Sequence, residues 1–202
     1  MIQKSPSDLT ERENYKLLIG SIVPRPVALV TTRSENGIVN IAPFSYFSIV
    51  SSNPPIISLA IQRKMHELKD TAANLLTTKE AVIHILDEDN VADGNKTAAT
   101  LPREESELTR TTFSTEDAQI VKVPVLRESK IRFETELYQH IEIKENEQIT
   151  ADLLLLKIKH YQVDESIYDD GRILIEKLKP VSRLAGNNYA KIGDIFTLVR
   201  PD

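Results

Sequence analysis

The chain has 202 residues and a mass of 22.8 kDa, enough for one large domain with a substantial core. Apolar residues make up 41% and charged residues 27%, a balance typical of folded globular proteins. The net charge of -5 and the lack of a basic run argue against nucleic acid or an anionic membrane as a partner. The chain has no cysteine, which excludes disulfides and thiol catalysis and fits a cytoplasmic location.

Sequence motifs for common catalytic and nucleotide-binding sites are absent. The six glycines are spaced too widely for a dinucleotide-binding turn or a P-loop, and no G-x-S-x-G motif occurs. The four histidines form no pair with metal-ligand spacing. We therefore predict no metal site and no catalytic side chains, so the protein either only binds a ligand or relies on an organic cofactor.

The N-terminal region predicts a helix followed by a β-hairpin. Its first twenty residues are polar and charged, unlike a signal peptide. Thr10 and Glu13 form a capping-box pattern that opens a helix ending near Gly20. A β-branched strand over 27–32 and an Asn-Gly turn within 34–37 then predict the hairpin.

No charged residue occurs between Asn36 and Gln62. Prolines and polar residues within this span argue against a membrane-spanning segment. We predict two strands instead, over 39–50 and 56–62, with both faces buried as in a barrel or sandwich.

The rest of the chain predicts a mixture of helices, strands and loops. Helices are expected over 70–78, with Asp70 as the N-cap, and over 88–100. Strands are expected over 81–86, 131–144 and 149–161, with a short one over 173–175. The polar segment 101–124 is expected to be a surface excursion. Together these elements predict one antiparallel barrel-like domain.

Serines lie between aromatic residues in the uncharged run from Asn40 to Ser48. A buried hydroxyl without a hydrogen-bond partner costs about 1–3 kcal/mol. A planar ligand with carbonyl groups and ring nitrogens would supply such partners. The alternative is that the hydroxyls bond to the backbone near a β-bulge, and composition alone favours that alternative.

Cationic residues gather just before the predicted helix at 70–78. Arg63, Lys64 and Lys69 are followed by the hydroxyl of Thr71. Free N–H groups and the positive end of a helix dipole would face the same point, which favours phosphate binding. The alternative is a solvated charged loop.

Several segments carry a family resemblance by their order and spacing. They are 25–32 (RPVALVTT), 39–45 (VNIAPFS), Ser51 with Pro54-Pro55, Lys69-Asp70-Thr71 with Asn74, and 183–189 (RLAGNNY). This pattern resembles the flavin reductase-like family, in the branch that contains nitrilotriacetate monooxygenase component B. The resemblance covers about residues 20–195.

The resemblance implies a mainly β fold, an antiparallel Greek-key split β-barrel with a few peripheral helices, in a single domain over residues 1–202. It also implies a homodimer that holds FMN near the subunit interface. The residues expected to line the flavin are Phe44, Ser45, Tyr46, Ser48 and Ser51. Those expected near its phosphate or ribityl chain are Arg63, Lys69, Thr71 and Asn74, and Tyr189 is expected to close the site.

The implied reaction is hydride transfer from NAD(P)H to flavin N5, with reduced FMN passed to a monooxygenase partner or to oxygen. Short reductases of the family often carry Gly-Asp-His in a late hairpin, whereas this chain has Asn146-Glu147-Gln148 there. The alternatives are an FMN-binding electron carrier or sensor without NAD(P)H turnover, and a dimeric interaction module that has lost flavin.

Overall fold

The structure, a computed structural model, describes residues 1–201. Its helices are α1 (Glu11–Ser21), α2 (Asp70–Thr78), α3 (Val91–Lys96) and α4 (Ile175–Leu178), with 3-10 turns at Pro6–Asp8, Glu107–Arg110 and Glu165–Ile167. The main sheet contains β1 (Ala28–Arg33), β2 (Val39–Phe44), β3 (Phe47–Ser52), β4 (Pro55–Gln62), β5 (Glu80–Ile85), β6 (Ile131–Glu145) and β7 (Gln148–Val163). Short strands outside it are Arg25–Pro26, Thr115–Glu116, Val125–Leu126, Tyr168–Asp169, Arg172–Ile173, Val181–Arg183 and Tyr189–Lys191.

The main sheet is antiparallel throughout, with the strand order β2-β1-β5-β6-β7-β4-β3. Phe44 from one edge strand and Leu59 from near the other edge belong to the same core cluster. The sheet therefore curls around one core, which confirms the predicted mainly β split barrel. None of the described helices is long and apolar enough to span a membrane.

Helix α2 closes the barrel core. Its residues Ala72 and Leu75 are fully buried in the same cluster as Leu154 and Leu156 of β7. The helix was predicted with Asp70 as its N-cap, and that detail is wrong. Lys69, which has an extended backbone, is the N-cap residue, and Asp70 is the first residue of the helix, with its carboxylate 3.0 Å from the Arg103 guanidinium.

The segment after α3 forms a second layer over the outer face of β1 and β2. Phe113 and Leu126 are buried there with Leu29 and Ile41. The Glu107 carboxylate accepts a hydrogen bond from the Ile41 backbone N–H at 2.9 Å. The segment 101–124 was predicted to be a surface excursion with a short helix at most. Most of it is exposed or half-buried and its only helix is the 3-10 turn, but Glu107 and Phe113 are buried against the sheet, because a strand that is apolar on both faces needs a cover on each.

Three other predicted elements differ from the structure. The strand expected over 39–50 is two strands, β2 and β3, which lie at opposite edges of the sheet. Strand β3 is not buried on both faces, since Ile49 is 81% exposed. The helix expected over 88–100 is reduced to α3, because the Asp87 carboxylate binds the backbone N–H groups of Asp89 and Asn90 before it. The short strand expected over 173–175 is the strand Arg172–Ile173, followed by α4.

Candidate functional site

The chain bends at Ser45 and Tyr46, where it passes from one edge of the sheet to the other. Both residues are half-buried, and the preceding Phe44 is buried in the barrel core. The Tyr46 carbonyl accepts a hydrogen bond from the Ala60 N–H at 2.9 Å, which ties the bend to β4. The bend is therefore an ordered, uncharged surface at the end of the barrel.

Arg25 holds this bend in place by a hydrogen bond to Ser45. Its guanidinium is buried and donates to the Ser45 hydroxyl at 3.4 Å. It also donates to the carbonyls of Ile19 and Ile22 at the end of α1 and of Leu184 in the tail. Arg25 thus connects the bend, the end of α1 and the tail, and its fixed guanidinium restricts the position of the Ser45 hydroxyl.

The other predicted flavin-lining residues differ in their surroundings. The Ser51 hydroxyl accepts from the Asn53 N–H at 3.2 Å, beside a register shift between Ile49 and Ser51. Ser48 is exposed, and its hydroxyl has only a long contact of 3.4 Å to the Ile49 carbonyl. Burial raises the pKa of the Tyr46 hydroxyl, with a smaller contribution from Tyr15.

The cationic loop, residues 63–69, connects β4 to α2. Met65 and His66 adopt left-handed backbone conformations, with φ of 49° and 64°. They form a tight turn in which the Glu67 N–H donates to the Lys64 carbonyl at 3.0 Å. The turn therefore brings Lys64 and Glu67 next to each other within the loop.

Lys69 lies at the end of this loop, at the start of α2. Partial burial, followed by repulsion from Lys64, lowers the pKa of the Lys69 ammonium. Within residues 1–201, neither lysine forms an ion pair with a carboxylate, and no side chain caps the N-terminus of α2. Two mutually repelling ammonium groups beside free helix N–H groups form an arrangement that an anion would stabilise.

Arg63 is arranged differently from the lysines. Its guanidinium makes two hydrogen bonds of 2.8 Å to the carboxylate of Asp152, and its side chain is only 11% exposed. The predicted contact of Arg63 with a phosphate or ribityl chain stays a prediction.

Thr71 and Asn74 point inward from α2 toward the first hairpin. The Thr71 hydroxyl accepts from the Asn40 amide at 2.8 Å, and the Asn74 amide donates to the Thr32 hydroxyl at 3.1 Å. Asn40 also reaches Thr32 at 3.4 Å. This network fixes the start of α2 against the beginning of β2, and thereby fixes the orientation of the helix N-terminus.

Tyr189 lies on a separate three-stranded sheet with the strands Arg25–Pro26 and Val181–Arg183. Its ring stacks under the Arg183 guanidinium at 4.6 Å, and its hydroxyl donates to Asn95 at 3.4 Å. Within this chain, its connection to the bend runs through Arg25. Its predicted role in closing the site stays a prediction.

The bend, the cationic loop and the start of α2 all border the barrel core. Phe44, Phe47, Leu68 and Ala72, one or more from each segment, belong to the same hydrophobic cluster. The prediction of site residues did not include Arg25, Asn40 or Asp152. A usable signal existed for Asp152, because it is the one charged residue within the apolar run 149–156.

Comparison with known proteins identifies the family. Residues 19–176, most of the chain, match the family model described as the flavin reductase like domain. The Bacillus subtilis protein YwrF is 47% identical over 96% of both chains. The chain belongs to the flavin reductase-like family.

Solved structures of related proteins agree with this family assignment. Nitrilotriacetate monooxygenase component B from Bacillus cereus is 46% identical, with 98% of both chains covered and a TM-score of 0.96. The 2-nitrobenzoate 2-nitroreductase NbaA of Pseudomonas fluorescens is 26% identical, with 99% of this chain and 96% of that one covered and a TM-score of 0.89. A split-barrel protein from Shewanella frigidimarina, 19% identical with both chains fully covered, shares the fold at a TM-score of 0.85.

Proposed function

We propose that this flavin reductase-like protein binds FMN and transfers hydride to it from NAD(P)H. The observation that carries the proposal is the unpaired couple of Lys64 and Lys69 at the uncapped start of α2, next to an uncharged bend. Family membership supports the same cofactor class.

The start of α2 fits the phosphate of FMN. A phosphate monoester carries a charge of about −1.5 to −2 near pH 7, which would relieve the repulsion between Lys64 and Lys69. Free N–H groups of the first helical turn would add hydrogen bonds to it. The Thr71 hydroxyl, held by Asn40, would keep that turn in place.

The bend at Ser45 and Tyr46 fits the ring system. The bend has no charged residue, and its Ser45 hydroxyl is held by Arg25. The neighbouring Phe44 adds a buried apolar side chain. These groups would orient a planar ring by hydrogen bonds and exclude water from one face. Ser48 and Ser51 extend the same uncharged strand beyond the bend. When bound, FMN supplies the hydride-accepting centre, and the chain supplies position.

A second candidate is an FMN-binding electron carrier without NAD(P)H turnover. The β6–β7 hairpin closes in a two-residue turn at Asn146 and Glu147, both with positive φ. That turn offers no imidazole where short reductases of the family often carry a histidine. This difference is the specific observation in favour of the carrier.

We also propose a homodimeric assembly and a monooxygenase partner. Strand β3 is an edge strand without charged residues, and Ile49 and Val50 are 81% and 50% exposed on it. Natural proteins usually protect such edges, so a second copy is a fitting cover. The monooxygenase partner follows from the name of the Bacillus cereus relative. The absence of cysteine supports a cytoplasmic location.

The test is the visible spectrum of the purified protein with FMN, followed by an anaerobic titration with NADH and with NADPH. We expect a flavin spectrum that changes on binding and bleaches with one equivalent of reduced nicotinamide. A bound flavin that bleaches only with dithionite would support the carrier. A protein that leaves the FMN spectrum unchanged and retains no flavin would contradict both.

A further inference from the structure

A buried carboxylate fixes the side chain of Arg63, the first residue of the cationic loop. Asp152 in β7 is fully buried, and its two oxygens accept from Arg63 Nε and Nη2, each at 2.8 Å. The His140 Nε2 atom lies 2.8 Å from the same carboxylate and shares its Oδ1 oxygen. This arrangement leaves Arg63 a single orientation, set by a rigid neighbouring strand.

The same guanidinium reaches into the cationic loop. Arg63 Nη1 donates to the carbonyl of His66 at 3.4 Å, in the tight turn of that loop. The Arg63 backbone N–H also donates to the Thr150 carbonyl at 2.9 Å. Arg63 therefore connects the buried carboxylate of β7 to the turn that separates Lys64 from Lys69.

A buried ion pair of this kind contributes little net stability, because desolvating both charges offsets much of their attraction. Its clearer effect is on geometry, since two parallel hydrogen bonds from a planar guanidinium fix its direction. The hydrogen bonds from Arg63 and His140 outweigh burial and lower the pKa of Asp152, so the carboxylate remains charged at neutral pH.

We propose that Asp152 is a positioning residue: through Arg63 it holds the cationic loop in the conformation that presents Lys64 and Lys69 to a phosphate. This inference rests on the proposed function. Asp152 itself does not touch the anion. Its effect is confined to ligands that carry a phosphate, and binding of the ring does not depend on it.

Electrostatics alone predicts the opposite sign. Removing a negative charge near a phosphate site makes the site more positive and should strengthen anion binding. Positioning predicts weaker binding, because the loop loses its anchor. The Asp152→Asn substitution therefore separates the two explanations by the direction of the change in affinity.

The experiment compares the dissociation constants of FMN and riboflavin, measured by flavin fluorescence quenching. For Asp152→Asn we expect the FMN constant to rise about tenfold and the riboflavin constant to stay within about twofold. The matched control is Glu142→Gln, which removes the same charge from the cross-strand partner of Asp152; Glu142 acts on Arg63 through its charge, but its ion pair is with Lys144. We expect FMN to bind this control as well as, or slightly better than, the wild type.

A second variant keeps the test decisive if Asp152→Asn fails to fold. Arg63→Lys retains the charge of the loop but cannot make the paired hydrogen bonds, so we expect it also to lose FMN affinity selectively. The proposal is overturned if the folded variants bind FMN as tightly as the wild type, or lose FMN and riboflavin equally. If the wild type binds neither ligand, the proposed function itself fails.

Discussion

His84 is a buried histidine whose protonation should control stability at acidic pH. It is fully buried in β5, with Nδ1 3.0 Å from the Leu29 carbonyl and Nε2 accepting the Leu126 N–H at 3.0 Å. Burial lowers the pKa of His84 to about 3. The folded protein therefore keeps the imidazole neutral, whereas the unfolded chain protonates it near pH 6.5.

The size and sign of the effect follow from this difference in pKa. Between pH 6.5 and 3 the unfolded state binds one more proton than the folded state, so stability falls as the pH is lowered. Each pH unit in that window costs about 1.4 kcal/mol. From pH 7 to pH 4.5, His84 should therefore lower the free energy of unfolding by about 3 kcal/mol.

The measurement is urea unfolding of the wild type and His84→Gln at pH 7 and pH 4.5, followed by circular dichroism at equal protein concentration. Glutamine can donate to Leu29 and accept from Leu126 but does not titrate. Carboxylates common to both proteins cancel in the comparison. We expect the acid-induced loss to be smaller in the variant by about 3 kcal/mol. Equal losses in both proteins would show that His84 does not cause the acid-induced loss of stability.

Two further predictions concern charged groups. Lys69→Met should raise the FMN dissociation constant about tenfold and leave riboflavin binding unchanged. The control is Lys122→Met, an exposed lysine outside the loop, which should change neither constant. Equal FMN affinity in the Lys69 variant and the control would contradict the phosphate site. Glu134→Gln should lower the free energy of unfolding in urea by about 3 kcal/mol, because the buried carboxylate accepts three backbone N–H groups from residues 119–121. A loss below about 1 kcal/mol would show that those donors find other partners.

Elements with local signals could be predicted from the sequence. The capping box of Thr10 and Glu13 forms as expected and opens α1. The turn over 34–37 joins β1 to β2, with the Gly37 N–H donating to the Ser34 carbonyl. Each depends on residues within four positions of one another, and both form as the local pattern predicts.

The division between β2 and β3 could not be predicted in this way. The run from Val39 to Ser52 has no charged residue to reveal alternation, and Pro43 occurs within β2 rather than at its end. The break depends on sheet order, because β2 pairs with β1 while β3 pairs with β4. Only the assembled barrel determines where the chain must cross.

The candidate site could be predicted only in part, because some of its contacts join residues that are far apart in the sequence. Lys69 and Thr71 lie close together along the chain, and both lie at the start of α2, where the helix was predicted. Their contact with a phosphate stays a prediction. The partner of Arg63 could not be inferred, because Asp152 lies 89 positions away. That contact shows what holds the Arg63 side chain, while its predicted contact with the phosphate or ribityl chain stays a prediction.

We propose that the uncharged bend and the cationic start of α2 together bind one FMN molecule. The most direct measurement is a crystal structure of the protein grown with excess FMN. We predict the phosphate between Lys64, Lys69 and the first N–H groups of α2, with the ring against Ser45 and Tyr46. Electron density for FMN elsewhere, or none at this end of the barrel, would contradict the account.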